Sequence, residues 1–517
     1  MIDRRRFLEA LAAAGVSQAL PSRAADRKVR FDSYPFTLGV ASGYPTPDGF
    51  VLWTRLAPNP LEPGGGLAPE PVPMIWEVAE DERFAKVVSS RAEFPTQDWA
   101  HSVHAQVTGL APDRWYFYRF RAGDAVSATG RARTAPQAHV VPSRLRFAFA
   151  SCQQYEQGFF GAYRHIVADA PDLVAFLGDY IYESSWGSNH VRKHGGRGQP
   201  YTLDEYRARY ALYKSDPDLQ AGHAACPWIA TWDDHEVVND YAGERGEGSR
   251  QNWPFLARRT AAYRAYYEHM PLPARMRPGS DGMRIYTELD WGGLARFCIL
   301  DDRQYRAFQA CRQAGTRGAP VVDPEQCAEL SDPARSMLGA AQERWLEGSL
   351  AASRARWNLL AQQTPMAQFD QQPGPGRRAW TDGWDGYPAA RRRLLGFLHS
   401  NRIQNPVVIG GDVHAFNAND LKLDFDDPAS PVVASEIVGT SITSQAWPQE
   451  RLNGFLADNP HMKLVDSRFR GYVRVEVTPA QMRADLRAME SVTKPEAECS
   501  TLATFVVESG KPGPQKT

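Results

Sequence analysis

The stretch DLVAFLGDYIY, from Asp172 to Tyr182, decides how this sequence folds. Its residues 173–177 form a short, unbroken apolar run, which is typical of a strand buried in a parallel sheet. Gly178 permits a sharp turn where the strand ends. Asp179 then lies at the carboxyl end of the strand, where open α/β sheets hold their ligands. Because Tyr182 follows three residues later, we expect its phenol and the Asp179 carboxylate to reach one cation.

Four other apolar runs also end in residues that can bind metals or anions. The runs cover residues 145–150, 227–232, 294–300 and 405–409. The residues that follow them are Cys152, Asp234 with His235, Asp302 with Arg303, and Asp412 with His414. A folded core needs apolar strands, but it does not need carboxylates, a thiol and imidazoles just beyond them. Because converging acids would repel one another without a cation, the pattern predicts a shared metal cluster.

The composition is that of an ordinary soluble globular protein. Its 517 residues are enough for two or more domains and a large core. Hydrophobic residues make up 43% and charged residues 23%, as in such proteins generally. The net charge of −1 argues against general nucleic-acid binding. Beyond the N-terminus no run is long and apolar enough to cross a bilayer, so we expect no stable membrane insertion.

The N-terminus has the features of a targeting signal. Residues 3–8, DRRRFL, resemble the twin-arginine export motif, and an Ala- and Leu-rich segment follows them. A cleavage site at Ser22-Arg23-Ala24 would end a signal peptide of residues 1–24. We therefore expect the twin-arginine export machinery as a partner and a periplasmic or extracellular location. The alternative is a basic amphipathic N-terminal helix.

Two regions with different patterns divide the rest of the chain. Residues 33–138 contain short strand candidates separated by Gly, Pro and Asp turns, which predicts a small β-sandwich domain. Within it, GLAPDRWYFYRF at 109–120 resembles the late strands of a fibronectin type III-like domain. Residues 143–510 alternate between longer strand and helix patterns, which predicts an α/β catalytic domain. Its helix patterns cover about 158–168, 203–213, 253–269 and 337–360, and its last strand patterns, 471–477 and 504–508, look antiparallel.

Six cysteines are too few for a disulfide scaffold. Cys311 and Cys327 flank a Gly- and Pro-containing loop, so they are the best candidates for a disulfide in an oxidising compartment. Cys226 and Cys298 lie beside apolar runs and are expected to be buried thiols.

Several motifs, taken in order along the chain, carry a resemblance to a known family. They are ASC at 150–152, GDYIY at 178–182, WDDHEVVNDYAG at 232–243, YYEHMPLP at 266–273, LDDRQYR at 300–306 and GGDVHAF at 410–416. The order GDxxY, Asp-His-Glu and GxxH resembles the calcineurin-like and purple acid phosphatase metallophosphoesterases. The nearer match is the PhoD-type alkaline phosphatase family, and it covers nearly the whole chain. The resemblance implies a metallophosphatase-like α/β sandwich and a phosphoric ester hydrolase.

The resemblance also implies a set of metal ligands. One metal would take Cys152, Asp179, Tyr182 and His414, and thiolate with phenolate favours Fe(III) there. Asp179 would bridge to a second metal site, which Asp234 and Asp412 would complete. Purple acid phosphatases carry Asn and His at those last two positions. Two carboxylates favour a hard cation with oxygen ligands, and the family implies Ca(II).

Other residues receive supporting roles from the same match. His235 would be catalytic, helping the leaving oxygen or holding the ligands in place. Asp233 and Glu236 are expected to orient the ligands. Weaker candidates for phosphate contact are Asn239 and Arg258.

Some of these assignments have alternatives that the sequence leaves open. Cys152 could be a buried core thiol or a nucleophile, and Tyr182 a packed aromatic residue. His414 could be an ordinary surface histidine. Asp302 and Arg303 could form a buried ion pair with each other or contact the substrate. Arg258 and Arg259 could lie on a solvated helix face.

The function expected from this resemblance is that of a secreted alkaline phosphatase. It would hydrolyse phosphomonoesters and phosphodiesters by in-line attack of a metal-activated hydroxide or oxide. One alternative is a phospholipase D-like phosphodiesterase, although no strong membrane-binding helix is encoded. Another is an inactive binding protein on the same fold, against which the intact ligand set argues.

Overall fold

The computed structural model describes residues 29–196, 198–246, 254–279, 282–313, 316 and 318–517. The predicted signal peptide, residues 1–24, lies outside the described residues. Among the helices of the described ranges, none is long and apolar enough to cross a membrane.

The described chain begins with short strands and continues with alternating strands and helices. The N-terminal strands are β1 (Val40–Thr46), β2 (Gly49–Arg55), β3 (Met74–Ala79), β4 (Val87–Glu93), β5 (Ser102–Val107), β6 (Trp115–Ala122), β7 (Ala125–Val126) and β8 (Gly130–Arg133). The later strands are β9 (Leu145–Ala150), β10 (Leu173–Leu177), β11 (Pro227–Thr231), β12 (Thr287–Trp291), β13 (Ala295–Ile299), β14 (Val321–Val322), β15 (Trp357–Ala361), β16 (Ala379–Trp380), β17 (Pro406–Gly410), β18 (Phe416–Lys422), β19 (Val432–Val438), β20 (Met462–Asp466), β21 (Gly471–Val477), β22 (Gln481–Met489), β23 (Cys499–Glu508) and β24 (Lys511–Lys516). The helices are α1 (Ala162–Ala168), α2 (Leu203–Lys214), α3 (Pro217–Ala225), α4 (Phe255–His269), α5 (Gly339–Ala352), α6 (Pro388–Ser400) and α7 (Gln449–Asn453).

Two large sheets form the body of the protein. The first has the order β24-β23-β22-β21-β9-β10-β11-β1-β2-β5, and the second has the order β12-β13-β15-β17-β19-β18-β20. Strand β10 pairs in parallel with β9 and β11, as its unbroken apolar run predicts. The sheets face each other across a common core, in which the rings of Phe147 and Phe297 meet edge to face at 5.2 Å.

Alternate residues of the second sheet enter different cores. Along β17, Val407 and Ile409 belong to the core between the sheets, whereas Val408 packs with the leucines of α5 and α6. This alternation follows from the two-residue period of a strand. Helices therefore cover the outer face of this sheet, and the layers form an α/β sandwich.

The N-terminal strands form the predicted two-layer sandwich, but one of its layers belongs to the catalytic sheet. Strand β1 pairs in parallel with β11, at Ser42 with Pro227 and Gly43 with Trp228. The other layer contains β3, β4, β6, β7 and β8. Joining β1 to β11 gives hydrogen-bond partners to backbone groups that a separate domain would leave at an open edge. The division into 33–138 and 143–510 stays a prediction, since one sheet crosses it.

The predicted helix over 337–360 is wrong in its second half. Helix α5 ends at Ala352, and residues 357–361 form strand β15, which is buried between β13 and β17. Short apolar runs such as WNLLA fit a helix and a strand equally well, and burial in the sheet decides here. The helix predicted from 158 begins only at Ala162, whereas those over 203–213 and 253–269 match α2 and α4 closely.

The predictions for the cysteines and the C-terminal strands are confirmed. Cys311 and Cys327 form a disulfide, and Cys226 and Cys298 are buried thiols. Strands β21, β22, β23 and β24 pair antiparallel with their neighbours.

Candidate metal centre

The five predicted strand ends converge where the two sheets meet. Among the described residues, three groups of side chains each have ligand atoms that lie within 4.8 Å of one another. The groups are Cys152 with Asp179 and His414, Asp179 with Asp234 and His235, and Asp233 with Asp234 and Asp412. Asp179 and Asp234 each belong to two of these groups, and Asp179 links the group that contains Cys152 and His414 to the group that contains Asp234, as a residue that bridges two cations would.

Backbone geometry turns these side chains toward the centre. Cys152, Asp179, Asp412 and His414 have φ values of 59°, 58°, 65° and 54°, in the left-handed region that non-glycine residues rarely adopt. Each such residue costs about 1–3 kcal/mol and is typical of functional sites. Gly178 completes the turn after β10: its φ is 101°, and an added Cβ would lie 2.4 Å from the Asp233 Cβ.

Tyr182 and His414 are held in place by hydrogen bonds. The Tyr182 hydroxyl donates to Asp179 Oδ2 at 2.8 Å, and it lies 3.2 Å from His414 Nε2 and 2.7 Å from Ser444 Oγ. His414 Nδ1 donates to the Gln445 carbonyl at 2.6 Å. That bond leaves Nε2 without a proton in the neutral ring, so Nε2 is free to bind a cation. His414 is therefore no ordinary surface histidine.

Burial makes the charged forms of these ligands unfavourable without a cation. It raises the pKa of the Cys152 thiol well above its usual range, and the Asp179 charge raises it further. Burial likewise raises the pKa of Asp179, against the lowering effect of His235, and the pKa of Asp412. It lowers the pKa of His414 to about 3. A bound cation would favour the ionised acids and the neutral imidazole together.

Several buried carboxylate oxygens have no hydrogen-bond partner among the described residues. They are Asp233 Oδ2, Asp234 Oδ1, Asp302 Oδ1 and Asp412 Oδ2. Buried polar atoms normally have partners, so each of these needs an explanation. Oxygen atoms of Asp234 and Asp412 lie at the centre of the cluster, and a hard cation would satisfy them. The donor set therefore fits metal binding.

Arg303 lies behind the carboxylates, and its partners differ from those considered from the sequence. Its guanidinium is fully buried and forms ion pairs with Asp233 and Asp382, the latter at 2.5 Å. It also approaches Asp234 and Asp412 at 3.6 and 3.7 Å. The alternative that Arg303 forms an ion pair with its neighbour in sequence, Asp302, is thus wrong.

The Arg303 charge controls one carboxylate of the cluster. Burial would raise the pKa of Asp234, but the guanidinium lowers it below its usual value. Asp234 therefore stays ionised. Asp382, which anchors Arg303, also pairs with Arg306 at 2.5 Å. No motif marks Asp382, because it lies in a loop after the short strand β16.

His235 forms a buried pair with Glu183, which sequence reasoning missed. His235 Nδ1 lies 2.6 Å from Glu183 Oε2, and the other oxygen of Glu183 accepts from the Asn239 amide at 3.0 Å. Burial would lower the pKa of His235, but the charges of Glu183, Asp234 and Asp179 raise it well above its usual value. The Glu183 carboxylate, which binds no candidate metal, thus favours the protonated form of the ring, from which a proton could be donated. Glu183 directly follows the GDYIY motif, and that position was its only signal.

Glu236 organises the backbone of the site. Its carboxylate accepts from the amides of Asp179, Tyr180 and Asp233 at 3.1, 2.6 and 2.8 Å. It thereby joins the turn after β10 to the turn after β11. This geometry suits the orienting role expected for it.

Asn239 and Arg258 lie in different surroundings. Asn239 lines the cavity in front of the cluster, together with Asp179, Asp234 and His235. Arg258 is fully buried, with Nε donating to the Tyr206 hydroxyl at 2.9 Å, and it is not among the residues that line this cavity. The alternative that Arg258 lies on a solvated helix face is wrong. Burial would raise the pKa of Glu183, but the charge of His235 lowers it, and the charge of Arg258 lowers it further.

Comparisons with known proteins agree with this geometry. The family model of the PhoD-like phosphatase matches residues 147–486, and that of the PhoD-like phosphatase N-terminal domain matches residues 21–136. Alkaline phosphatase D of Bacillus subtilis (strain 168) is 43% identical over 531 residues, which cover 99% of this chain and 89% of the relative.

Two solved structures are similar to the whole fold. The structure of PhoD superposes with a TM-score of 0.88 at 44% identity, covering 95% of this chain and 93% of that one. The purple acid phosphatase PPD1 of yellow lupin superposes with a TM-score of 0.56 at 12% identity, covering 91% and 73%. The second likeness concerns the fold alone. The predicted metallophosphatase-like fold is confirmed, and the chain belongs to the PhoD-like phosphatase family.

Proposed function

We propose that this chain is a metal-dependent phosphoric ester hydrolase, an alkaline phosphatase that acts on phosphomonoesters and phosphodiesters. The observation that carries the proposal is the position of Asp179, which shares its carboxylate between two groups of potential ligands. The similarity to a protein named alkaline phosphatase D supports this activity over a phospholipase D-like one. The complete ligand set argues against an inactive binding protein.

The residues present fit two kinds of cation. Cys152, Asp179, Tyr182 and His414 would hold Fe(III), because thiolate and phenolate suit a strongly Lewis-acidic ion. Asp179 would share its carboxylate with Asp234 and Asp412, which would hold Ca(II). When bound, such cations polarise a phosphate and lower the pKa of water.

The chain's own residues would then handle the proton of the leaving group. Because Nδ1 of His235 faces Glu183, its Nε2 proton remains for the oxygen that leaves phosphorus. Asn239 lines the same cavity, and its backbone amide holds Glu183 in place. Arg303 remains behind the carboxylates and keeps Asp234 ionised, so it acts on the ligands rather than on the substrate.

The proposal includes export by the twin-arginine route to the periplasm or the cell exterior. The motif in residues 3–8 supports it, and the disulfide between Cys311 and Cys327 suits an oxidising compartment.

Elemental analysis of the purified protein, paired with phosphate release from a chromogenic monoester, tests the proposal. We expect stoichiometric iron, with activity that a chelator removes and calcium restores. Zinc as the sole metal would overturn the assignment of iron and calcium. Protein with neither metal nor turnover would overturn the proposed activity.

A further inference from the structure

We propose that the active-site cavity has a second binding region, the apolar arm, which holds the organic group of the phosphate ester. The arm is lined by Phe369, Trp380, Trp384, Asn417, Asn419 and Met462. It would select flat, mainly apolar alcohols that carry a hydrogen-bond donor. This inference rests on the proposed function, because the phosphate itself would occupy the metal end.

One wall of the arm is continuous with the metal site. Strand β18 starts two residues after His414, and Asn417 and Asn419 on it are two residues apart, so their side chains share one face. Across the neighbouring strand β20, Asn417 is opposite Val465 and Asn419 is opposite Met462. All four of these side chains line the cavity. A substrate with its phosphate near His414 would therefore extend along this wall.

The two asparagines carry unused hydrogen-bond acceptors. Asn417 is 4% exposed and Asn419 is fully buried, and neither Oδ1 has a partner among the described residues. Asn419 Nδ2 donates to Glu436 Oε2 at 2.8 Å, which fixes the orientation of the amide. Buried amide oxygens are normally paired, so a hydroxyl or N–H group of a ligand fits here.

A second wall, which adjoins the first where Phe369 packs in one cluster with Val465 and Met462, is aromatic. Phe369 and Trp380 are partly exposed, and both line the cavity. Trp384 is fixed, since its Nε1 donates to Gln362 Oε1 at 2.8 Å. Asp385 on the same wall forms an ion pair with Arg391 at 2.7 Å, so its charge is balanced. Such a wall suits the face of an aromatic ring or an alkyl chain.

The size of the cavity agrees with an organic group larger than a short alcohol. The whole cavity has a volume of about 820 Å³, within the range of sites that bury drug-sized molecules. Phosphate alone would fill only its metal end. A polyol would leave the aromatic wall without an apolar partner, whereas an aryl group would cover it.

The test compares two monoesters, naphthyl phosphate with a ring hydroxyl and methyl phosphate, on the full-length, metal-loaded protein. Trp380→Ala and Phe369→Ala should each lower kcat/KM for the naphthyl ester about tenfold, with less than a twofold change for the methyl ester. Differences in leaving-group reactivity cancel, because each variant is compared on the same pair. Phe94→Ala is the matched control, since Phe94 is 51% exposed and lies outside this cavity lining.

The asparagines are tested by removing one hydroxyl from the substrate. In the unchanged protein, kcat/KM should be several-fold higher for the hydroxylated naphthyl ester than for the plain one. Asn417→Leu should remove that preference. Thermal melting of each variant identifies any that fails to fold, and Phe369→Ala then stands in for Trp380→Ala.

Binding of the free alcohol, dihydroxynaphthalene, separates this inference from the proposed function. Isothermal titration should detect binding to the unchanged protein and a loss of it in Trp380→Ala. If the alcohol binds in this way but no ester is hydrolysed, the apolar arm stands and the proposed function fails. If esters are hydrolysed with the same naphthyl-to-methyl ratio in all variants and the alcohol does not bind, the apolar arm is overturned and the proposed function stands.

Discussion

Replacing Glu183 with glutamine removes the charge that favours the protonated form of His235, while it preserves the size of the side chain. In the native site a carboxylate oxygen lies 2.6 Å from His235 Nδ1. The glutamine would still offer an acceptor to the Asn239 amide, which donates to the other oxygen of Glu183. The substitution therefore tests the charge rather than the shape of the pair.

The size of the effect follows from the strength of a hydrogen bond to a charged group. Such bonds contribute about 1.5–3 kcal/mol. Because about 1.4 kcal/mol corresponds to a tenfold change, Glu183→Gln should lower kcat for an alkyl phosphate by about 10- to 100-fold. An ester of 4-nitrophenol needs little proton donation to its leaving oxygen, so its kcat should change less than about threefold.

The assay is steady-state kinetics on both esters, with iron and calcium content measured on the same samples. Glu156→Gln is the matched control, because Glu156 is a buried acid that also faces a histidine, His194, at 3.4 Å but lies outside the three ligand groups. An equal loss on both esters, at normal metal content, would refute proton donation by His235.

Three further substitutions have defined outcomes. Asp179→Asn should lower the content of both metals and abolish turnover, whereas Asp424→Asn, at an exposed position, should do neither. A normal metal content in Asp179→Asn would contradict the shared position of Asp179. Arg303→Met should lower the free energy of unfolding in urea by about 3–5 kcal/mol, because it leaves buried acids unpaired. Arg393 forms an exposed pair with Glu343, so Arg393→Met should lower it by at most about 1 kcal/mol. Burial lowers the pKa of Lys214 to about 7, whereas in the unfolded chain it is near 10.4. Between these two pH values the unfolded chain binds more protons than the folded one. The free energy of unfolding therefore rises with pH across this window, by up to about 4 kcal/mol. Lys214→Met should remove that rise from urea titrations at pH 7 and 10, and an unchanged slope would count against it.

The predictable part of the site lies at the ends of strands. Cys152, Asp179 and Asp412 each follow a short apolar run. Parallel strands bring such ends to one edge of their sheet, and here the edges of the two sheets meet. The pairing of charges was not predictable in the same way. Arg303 is beside Asp302 in sequence, yet it binds Asp233 and Asp382, because the turn after β13 points it into the cluster.

Elements without a local pattern were also missed or misread. Ser444 contacts Tyr182 from a loop 262 residues away, and no sequence pattern near either residue predicts this contact. The sequence of strand β15 is compatible with a helix as well as with a strand, and only its position between two other strands decides its structure. The pairing of β1 with β11 joins residues more than 180 positions apart, so turn and strand patterns alone indicated a separate sandwich.

The ten-stranded sheet also sets the order in which the chain can fold. Its N-terminal strands β1 and β2 leave the ribosome early, but β1 gains its parallel partner only when β11 has been made. Strand β9 gains its antiparallel partner β21 more than 300 residues after its own synthesis. Such a high contact order predicts slow folding that finishes after translation. Nascent chains arrested before residue 471 should therefore remain sensitive to protease along the strands of this sheet.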